Sequence, residues 1–236
     1  MVVEWRATCG TTSASIKCKR PSWSNVSKAY REINEVGNRA YNEYYQQAIS
    51  EGQNAIDAYE EAIYLSSQAR YNLVGKQAQS EFNRDSNAYI NTCALQVSYA
   101  LNKGGMPLEN YLSRNKAKRP KGFEEATILQ GEDNHNYLTG VNFMIKLLQL
   151  QEVWGNADKP YNPKRMQTKQ ENINFYNNEF SKFDKNGVIA MIISGWSDAS
   201  GHITLWGGEE KEFLDNSNYL MQLDCIVKEL YFWELK

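Results

Sequence analysis

The sequence predicts an α+β fold in which helices fill the first part of the chain and an antiparallel sheet lies near its C-terminal end. Three observations support this prediction. Apolar and aromatic residues recur every three or four positions in the first half, a short apolar helix begins at Cys93, and β-branched runs follow after residue 186. Because helices precede strands, the strands are expected to pair with one another and to pack against the cysteine-headed helix.

The first half of the chain is predicted to form a set of packed helices. After a turn-like opening, helical spacing begins at Ser24 and continues to Phe82. The pattern is interrupted near Gly52 and near Gly75, where a helix is expected to end. We therefore predict two or three helices and interpret them as scaffold or cover without catalytic residues.

A separate helix is predicted over Cys93–Lys103, because its apolar residues follow helical spacing and the glycines at 104–105 end it. A loop over residues 87–92 precedes it, so the cysteine stands in the first helical turn. Two more helices are predicted over residues 140–154 and 169–183.

Three apolar runs near the C-terminus are predicted to be strands of a buried sheet. They are short and rich in β-branched or aromatic residues, as buried strands are. They cover Gly187–Trp196, His202–Trp206 and Ile226–Leu235.

Composition excludes several classes of function. The chain has 236 residues, a formal net charge of -2 and 42% hydrophobic residues, so no basic field attracts nucleic acid. No stretch approaches the ~20 apolar residues that span a bilayer, and the opening residues lack the apolar run of a signal peptide. We therefore expect no nucleic-acid partner, no membrane insertion and no conventional signal.

One polar segment, residues 113–136, is interpreted as an exposed excursion because it is rich in charge and contains glycine and proline. Its basic residues are expected to be solvated rather than to bind nucleic acid. They are Lys116, Lys118, Arg119 and Lys121.

The four cysteines show no metal-binding pattern, and we predict no metal and no other cofactor. Cys9 and Cys18 are too far apart for the usual paired ligands and have no neighbouring histidine. They either form a disulfide, which requires an oxidising compartment, or remain two thiols. Cys225 lies among apolar residues and is predicted to be a small buried side chain.

Cys93 is the candidate nucleophile. A helix N-terminus and a neighbouring imidazole both favour the reactive thiolate. Backbone N–H groups at the head of this helix are not used by the helix, so they are predicted to form the oxyanion hole. Of the two histidines, His135 lies in a polar stretch expected to be mobile, whereas His202 opens a strand. We therefore predict His202 as the general base.

A third side chain is expected to orient the imidazole, as the acid of a catalytic triad does. Asp215 follows His202 at a distance that lets it return on the next turn or strand. Asp198 precedes the histidine across a loop, and Glu209 and Asn216 stay open as further candidates. We predict Asp215 as the third catalytic residue, with Asp198 as the alternative.

Three separated segments resemble the fourth family of type VI secretion amidase effectors. They are RPSW at Arg20–Trp23, NTCALQVSYALNKGG at Asn91–Gly105 and SGWSDASGHITLWGG at Ser194–Gly208, and the terminal YFWEL at Tyr231–Leu235 fits as well. Their order agrees with that family, whose nucleophile matches Cys93 and whose base matches His202.

The resemblance implies a papain-like (NlpC-type) core and a peptidoglycan amidase. Members are DL-endopeptidases that hydrolyse the γ-D-glutamyl-meso-diaminopimelate bond of cell-wall stem peptides, and they serve as antibacterial toxins. They are made in the cytoplasm without a signal peptide, exported by the type VI secretion apparatus and active in the periplasm of the recipient cell. A cognate immunity protein, dimeric in the family, is a further implied partner.

The resemblance also implies one domain, residues 1–236, with helical insertions. Family members are typically shorter, and the additional residues of this chain fall at about 26–85 and 113–183. In the family the acid lies slightly closer after its histidine than Asp215 does.

Two other functions fit the same residues. The cysteine and histidine also suit acyl transfer in a transglutaminase-like enzyme. A non-catalytic binding module is the second alternative, since six tryptophans and fifteen tyrosines supply aromatic surface. The tryptophans share no spacing, however, and most of them are expected to lie in the core.

Overall fold

Helices form most of the first half of the molecule. The computed structural model describes residues 3–9, 12–196 and 199–236, with only the backbone up to residue 18. The α-helices in the first half are α1 Trp23–Ser50, α2 Ala55–Val74, α3 Lys76–Arg84, α4 Ser86–Tyr89 and α5 Cys93–Lys103. Two more, α6 Val141–Gln149 and α7 Lys169–Asn178, follow in the second half. In the described residues, no helix is long and apolar enough to cross a membrane.

The strands form three antiparallel groups. Two ribbons consist of β1 Val3–Cys9 with β2 Thr12–Cys18, and of β3 Ile128–Gln130 with β4 Asn136–Leu138. The main sheet consists of β5 Lys164–Arg165, β6 Gly187–Ser194, β7 Gly201–Gly207, β8 Glu212–Phe213 and β9 Ile226–Glu234. Its order is β5-β9-β6-β7-β8, and all neighbours are antiparallel. The predicted α+β class with an antiparallel sheet is confirmed.

Helix α5 lies at the centre of the fold. Every residue from Ala94 to Asn102 is buried, because one face of the helix packs on the sheet and the other packs under α1 and the β4 ribbon. Ala94 and Val97 share a core with Val188 of β6 and Ile203 of β7. This burial fixes the start of α5, and with it Cys93, at the edge of the sheet.

The predicted breaks in the first helical region are confirmed. Gly52 and Gly75 both have positive φ, at 82° and 73°, so each supplies a turn that other residues rarely adopt. Helix α2 begins at Asn54, whose side-chain oxygen accepts a hydrogen bond from the Ile56 backbone N–H at 2.8 Å. As a result α1 and α2 form an antiparallel pair that stands beside α5.

Three local predictions were wrong. The opening is a β-hairpin instead of a turn, and the loop predicted at 87–92 includes the one-turn helix α4. The segment 113–136 is not a solvated excursion throughout, since it contains β3 and buries Phe123 and Ile128.

Arg119 explains why that segment is ordered. Its guanidinium donates hydrogen bonds to backbone carbonyls that surround it, those of Ser113, Arg114, Phe123, Glu124 and Ala126. A half-buried arginine thus satisfies carbonyls that no regular structure uses. The expectation that Arg119 is merely solvated was therefore wrong, whereas Lys116, Lys118 and Lys121 are exposed as predicted.

The first hairpin separates the two N-terminal cysteines. Its register pairs Cys9 with Thr12 and Cys18 with Val3. At about 3.3 Å per residue the two cysteine Cα atoms are then roughly 20 Å apart. Since a disulfide requires Cα atoms within about 7 Å, this backbone does not bring the pair within disulfide reach.

The segment ahead of α1 and the last strand, β9, are tied together. Arg20 forms a bidentate ion pair with Asp158, and Asp158 also accepts a hydrogen bond from the Glu234 backbone N–H at 2.7 Å. The Trp23 backbone N–H donates to the Lys236 carbonyl at 2.7 Å. The RPSW segment therefore anchors the start of α1 to the last strand and lies outside the cleft described below.

Candidate active site

Cys93 stands at the first residue of α5, as predicted. The preceding Thr92 gives the helix no side-chain cap, because its hydroxyl oxygen accepts hydrogen bonds from Gln96 and Arg70 instead. The first N–H groups of a helix have no partner within the helix. The head of α5 therefore offers backbone donors beside a half-buried thiol.

His202 lies near the start of β7, the fourth of the five strands, in regular strand structure rather than in a loop. Its strand pairs with β6, where Met191 is its neighbour across the ladder. Gly201 permits this close packing, because a Cβ there would lie 2.5 Å from the Met191 carbonyl oxygen. The imidazole is 8% exposed and rests edge-on against the Tyr219 ring, with ring centroids 4.8 Å apart.

The structure brings Cys93, His202 and Asp215 together in one network. The Nε2 atom of His202 is 2.8 Å from Oδ2 of Asp215. The Cys93 thiol interacts with the same imidazole and raises its pKa. A thiol, a ring and a carboxylate thus follow one another in the order that nucleophilic catalysis requires.

Asp215 reaches the histidine because β7 and β8 form a tight hairpin. Trp206 pairs with Phe213, and the Leu214 N–H donates to the Leu205 carbonyl, so the chain returns along β7. Ser217 then fixes the carboxylate. Its hydroxyl donates to Oδ1 of Asp215 at 2.6 Å and lies 2.9 Å from Nε2 of His202.

The other candidates for the third residue occupy different places. Asp198 lies outside the described residues. Glu209 is exposed in the turn after β7, and Asn216 is exposed beside Asp215 with a positive φ of 61°. His135 lies away from this network, where its Nδ1 is 2.6 Å from a Glu109 carboxylate oxygen.

The electrostatics of the buried pair favour an imidazolium beside a carboxylate. Burial acts to lower the pKa of His202, but the charge and hydrogen bond of Asp215, together with Cys93, raise this pKa to about 10. Burial acts to raise the pKa of Asp215, yet the His202 charge and the hydrogen bonds from His202 and Ser217 hold it below its usual value. The histidine is therefore held in its charged form at neutral pH.

A cleft of about 480 Å³ opens onto Cys93 and His202. One wall comes from α2 through Ser66, Ser67 and Arg70, and the facing wall comes from the segments around Trp196 and Tyr219. The first helices, predicted to be scaffold or cover, thus contribute a wall of the cleft through α2. Within the described residues, no group of three or more metal-ligating side chains is present.

Several residues of this site were missed from the sequence. Ser217, Tyr219 and Arg70 touch the network or line the cleft, but each belongs to a common residue type in an unremarkable local context. The Ser217 position, two residues after a candidate carboxylate, is the only local signal among them. Only the tertiary fold brings α2 to the head of α5.

Solved structures share this fold. The complex of Tae4 with Tai4 from Enterobacter cloacae has a TM-score of 0.58 and 24% identity, over 92% of this chain and 99% of that chain. The corresponding complex from Salmonella Typhimurium has a TM-score of 0.58 and 21% identity, over 92% and 99% of the two chains. A comparison with curated proteins gives no match.

Residues 89–233, more than half of the chain, match the family described as Type VI secretion system (T6SS), amidase effector protein 4. The chain is therefore an amidase effector of the type VI secretion class. The matched segment includes Cys93, His202 and Asp215. The protein belongs to the Tae4 family.

Proposed function

We propose that this amidase is a cysteine hydrolase with a papain-like (NlpC-type) core in which Cys93 is the nucleophile, His202 the proton carrier and Asp215 the residue that orients the ring. The observation that carries the proposal is the buried Asp215–His202 contact of 2.8 Å, joined to a thiol at an uncapped helix head. Residues 1–236 act in this proposal as one domain, whose insertion at about 26–85 supplies a wall of the cleft.

The proposed reaction has two steps. The Cys93 thiolate attacks the amide carbonyl, and the N–H groups at the head of α5 donate to the developing oxyanion. Protonated His202 gives its proton to the amine nitrogen as the C–N bond breaks, which leaves a thioester. His202 then takes a proton from water, the resulting hydroxide attacks the thioester, and the carboxylic acid and the free cysteine are released.

The proposed bond is the γ-D-glutamyl-meso-diaminopimelate amide of peptidoglycan stem peptides. This assignment follows the family resemblance, and the cleft supports it in one respect. An open cleft with polar walls suits a peptide that carries several charged groups better than an apolar ligand.

In this proposal the enzyme is an antibacterial toxin, exported by the type VI secretion apparatus and active in the periplasm of a recipient cell. A cognate immunity protein protects the producing cell by binding at the cleft. The solved Tae4 effectors from Enterobacter cloacae and Salmonella Typhimurium that share this fold are complexes with Tai4 immunity proteins, which supports such a partner.

Digestion of purified muropeptides tests the proposal. The wild-type protein is expected to cleave stem peptides into two products whose summed mass exceeds that of the substrate by one water. Cys93→Ala removes the nucleophile, so no product is expected above background. Cys225→Ala is the matched control because it removes a buried thiol outside the network, and it is expected to retain activity. Cleavage by Cys93→Ala at the wild-type rate would refute the mechanism.

The same experiment separates acyl transfer from hydrolysis. A transferase joins the acyl group to a second amine and releases the original amine, so a new cross-linked peptide would appear and no water would be added. A non-catalytic module would give neither product. It would also leave Cys93 unreactive, whereas the proposed pair predicts rapid alkylation of Cys93 that slows in His202→Ala.

A further inference from the structure

Arg70 is a buried cation in the wall of the active-site cleft. It projects from α2, is 9% exposed and lines the same cleft as Cys93 and His202. Its terminal nitrogens donate only to neutral oxygens, those of Ser66 at 2.8 Å, Asn38 at 3.3 Å, and Thr92 and Asn34 at 3.4 Å. Its Nε has no partner among the described residues.

The positive charge of Arg70 is not matched by a carboxylate in the described part of the chain. Asp215 is the negative side chain that influences it, but the oxygens of Asp215 already bond to His202 and Ser217. A buried charge without an ionic partner is costly, and such groups are usually paired or functional. The guanidinium therefore brings to the cleft a positive charge that only neutral oxygens solvate.

The fold makes specific room for this side chain. Gly37 of α1 faces it, and a Cβ at that position would lie 2.3 Å from the Arg70 Cζ atom. A glycine inside a long helix weakens the helix. We therefore attribute the glycine at this position to the packing of the Arg70 guanidinium and not to the stability of α1.

Arg70 also lies next to the reacting residues. It donates to the hydroxyl of Thr92, which directly precedes Cys93. Gln96, which also donates to the Thr92 hydroxyl, lines the same cleft. A substrate group close to the scissile carbonyl thus meets a cation.

We propose that Arg70 is a specificity-determining residue that recognises a carboxylate of the peptide substrate adjacent to the scissile amide. The inference rests on the proposed function. In a γ-glutamyl-diaminopimelate peptide two carboxylates flank the bond, the α-carboxylate of glutamate and the side-chain carboxylate of diaminopimelate. Arg70 lies outside residues 89–233, so this preference belongs to the helical region of this chain.

Three synthetic peptides test the proposal. The first carries both carboxylates, the second has the glutamate α-carboxamide, and the third has the diaminopimelate side-chain carboxamide. For the wild-type enzyme one carboxamide is expected to lower kcat/KM by about 10- to 100-fold, the range of a hydrogen bond to a charged group. The peptide that suffers this loss identifies the recognised carboxylate.

Arg70→Gln removes the charge. In this variant the kcat/KM of the affected carboxamide peptide is expected to be close to that of the parent peptide. Arg70→Lys keeps the charge and is expected to retain most of the discrimination. A merely structural role of Arg70 would lower kcat/KM equally for all three peptides, and this result would overturn the proposal. So would a wild-type enzyme that cleaves all three peptides equally.

Asn38→Asp provides a second variant that keeps Arg70. The amide oxygen of Asn38 already accepts a hydrogen bond from Arg70. The new aspartate carboxylate is therefore expected to form an ion pair with Arg70 and to abolish the preference for the carboxylate peptide, while the fold is preserved. Asn42→Asp is the matched control, because it adds the same charge at an exposed position one turn further along α1. Unchanged discrimination in Asn38→Asp would count against the proposal. Failure of the wild-type enzyme on every peptide would refute the proposed function itself.

Discussion

At the scale of single residues, the contact between His202 and Asp215 links the proposed mechanism to stability. The folded pKa of His202, about 10, lies above its ordinary value of 6.5, so its protonated form stabilises the fold. This contribution is fully present below pH 6.5 and is lost as the pH rises through about 10. The lowered pKa of Asp215 acts at the other end, where its contribution is lost as the pH falls below its usual value.

Asp215→Asn is therefore expected to flatten the decline of stability between pH 6.5 and 10, because it removes the charge and the strongest of the contacts that raise the His202 pKa. The urea midpoint of unfolding, measured across this range, checks the slope. The same variant should lower kcat at least roughly tenfold, since the imidazole loses the group that orients it. Asp184→Asn, at an exposed carboxylate, serves as the control and is expected to leave both unchanged. An unaltered slope in Asp215→Asn would contradict the coupling.

Site residues could be predicted from the sequence where their position depends on the local secondary structure. Cys93 begins a helix that glycines end, and His202 opens an apolar strand, so both positions could be predicted from their context. Asp215 stayed one of several candidates because its place depends on how the β7–β8 hairpin turns. Arg70 was not predictable, since it meets Thr92 only after α1 and α2 have packed beside α5.

At the scale of elements, most long periodic segments could be predicted and short ones could not, although the seven-residue strands β1 and β2 were missed. The helices α1, α2 and α5 and the strands β6, β7 and β9 bury continuous faces, and burial imposes a period on the sequence. In contrast β3, β5 and β8 contain two or three residues each, too few for a period to emerge. β3 and β8 pair with strands close by in the chain, whereas β5 pairs with the distant strand β9.

The packing of α1 on α2 gives a prediction at this scale. Alanine favours a helix over glycine by up to about 1 kcal/mol, but overpacking a filled contact costs about 1–3 kcal/mol. Gly37→Ala is therefore expected to destabilise the protein by about 1 kcal/mol, because its Cβ displaces the Arg70 guanidinium. Denaturant unfolding measures the free-energy difference.

A double-mutant cycle isolates the cause. In an Arg70→Ala background the contact is absent, so Gly37→Ala should be neutral or slightly stabilising through helix propensity alone. Asn42→Ala, on the exposed face of α1, reports the propensity gain without any packing change. Equal effects of Gly37→Ala in both backgrounds would show that Arg70 is not what the glycine accommodates.

At the scale of the whole molecule, the Asp158 carboxylate connects the segment ahead of α1 with the last strand, β9. Asp158 pairs with Arg20 ahead of α1 and accepts the Glu234 N–H of β9, while its own N–H donates to the Phe232 carbonyl. The chain between these points includes every element of the active site. The relative position of α1 and the sheet, and hence of Arg70 and His202, therefore depends partly on this contact.

Asp158→Asn tests that dependence. The ion pair is partly exposed, at 24% and 32% of the two side chains, so its loss is expected to cost about 1–2 kcal/mol of unfolding free energy. The amide of Glu234 should exchange with deuterium faster, because its acceptor is weakened. Arg39→Gln breaks an exposed pair with Glu35 on one helix and should cost less than about 0.5 kcal/mol. If both variants lost the same small amount and the exchange at Glu234 were unchanged, the two ends would be held by packing of the core and not by Asp158.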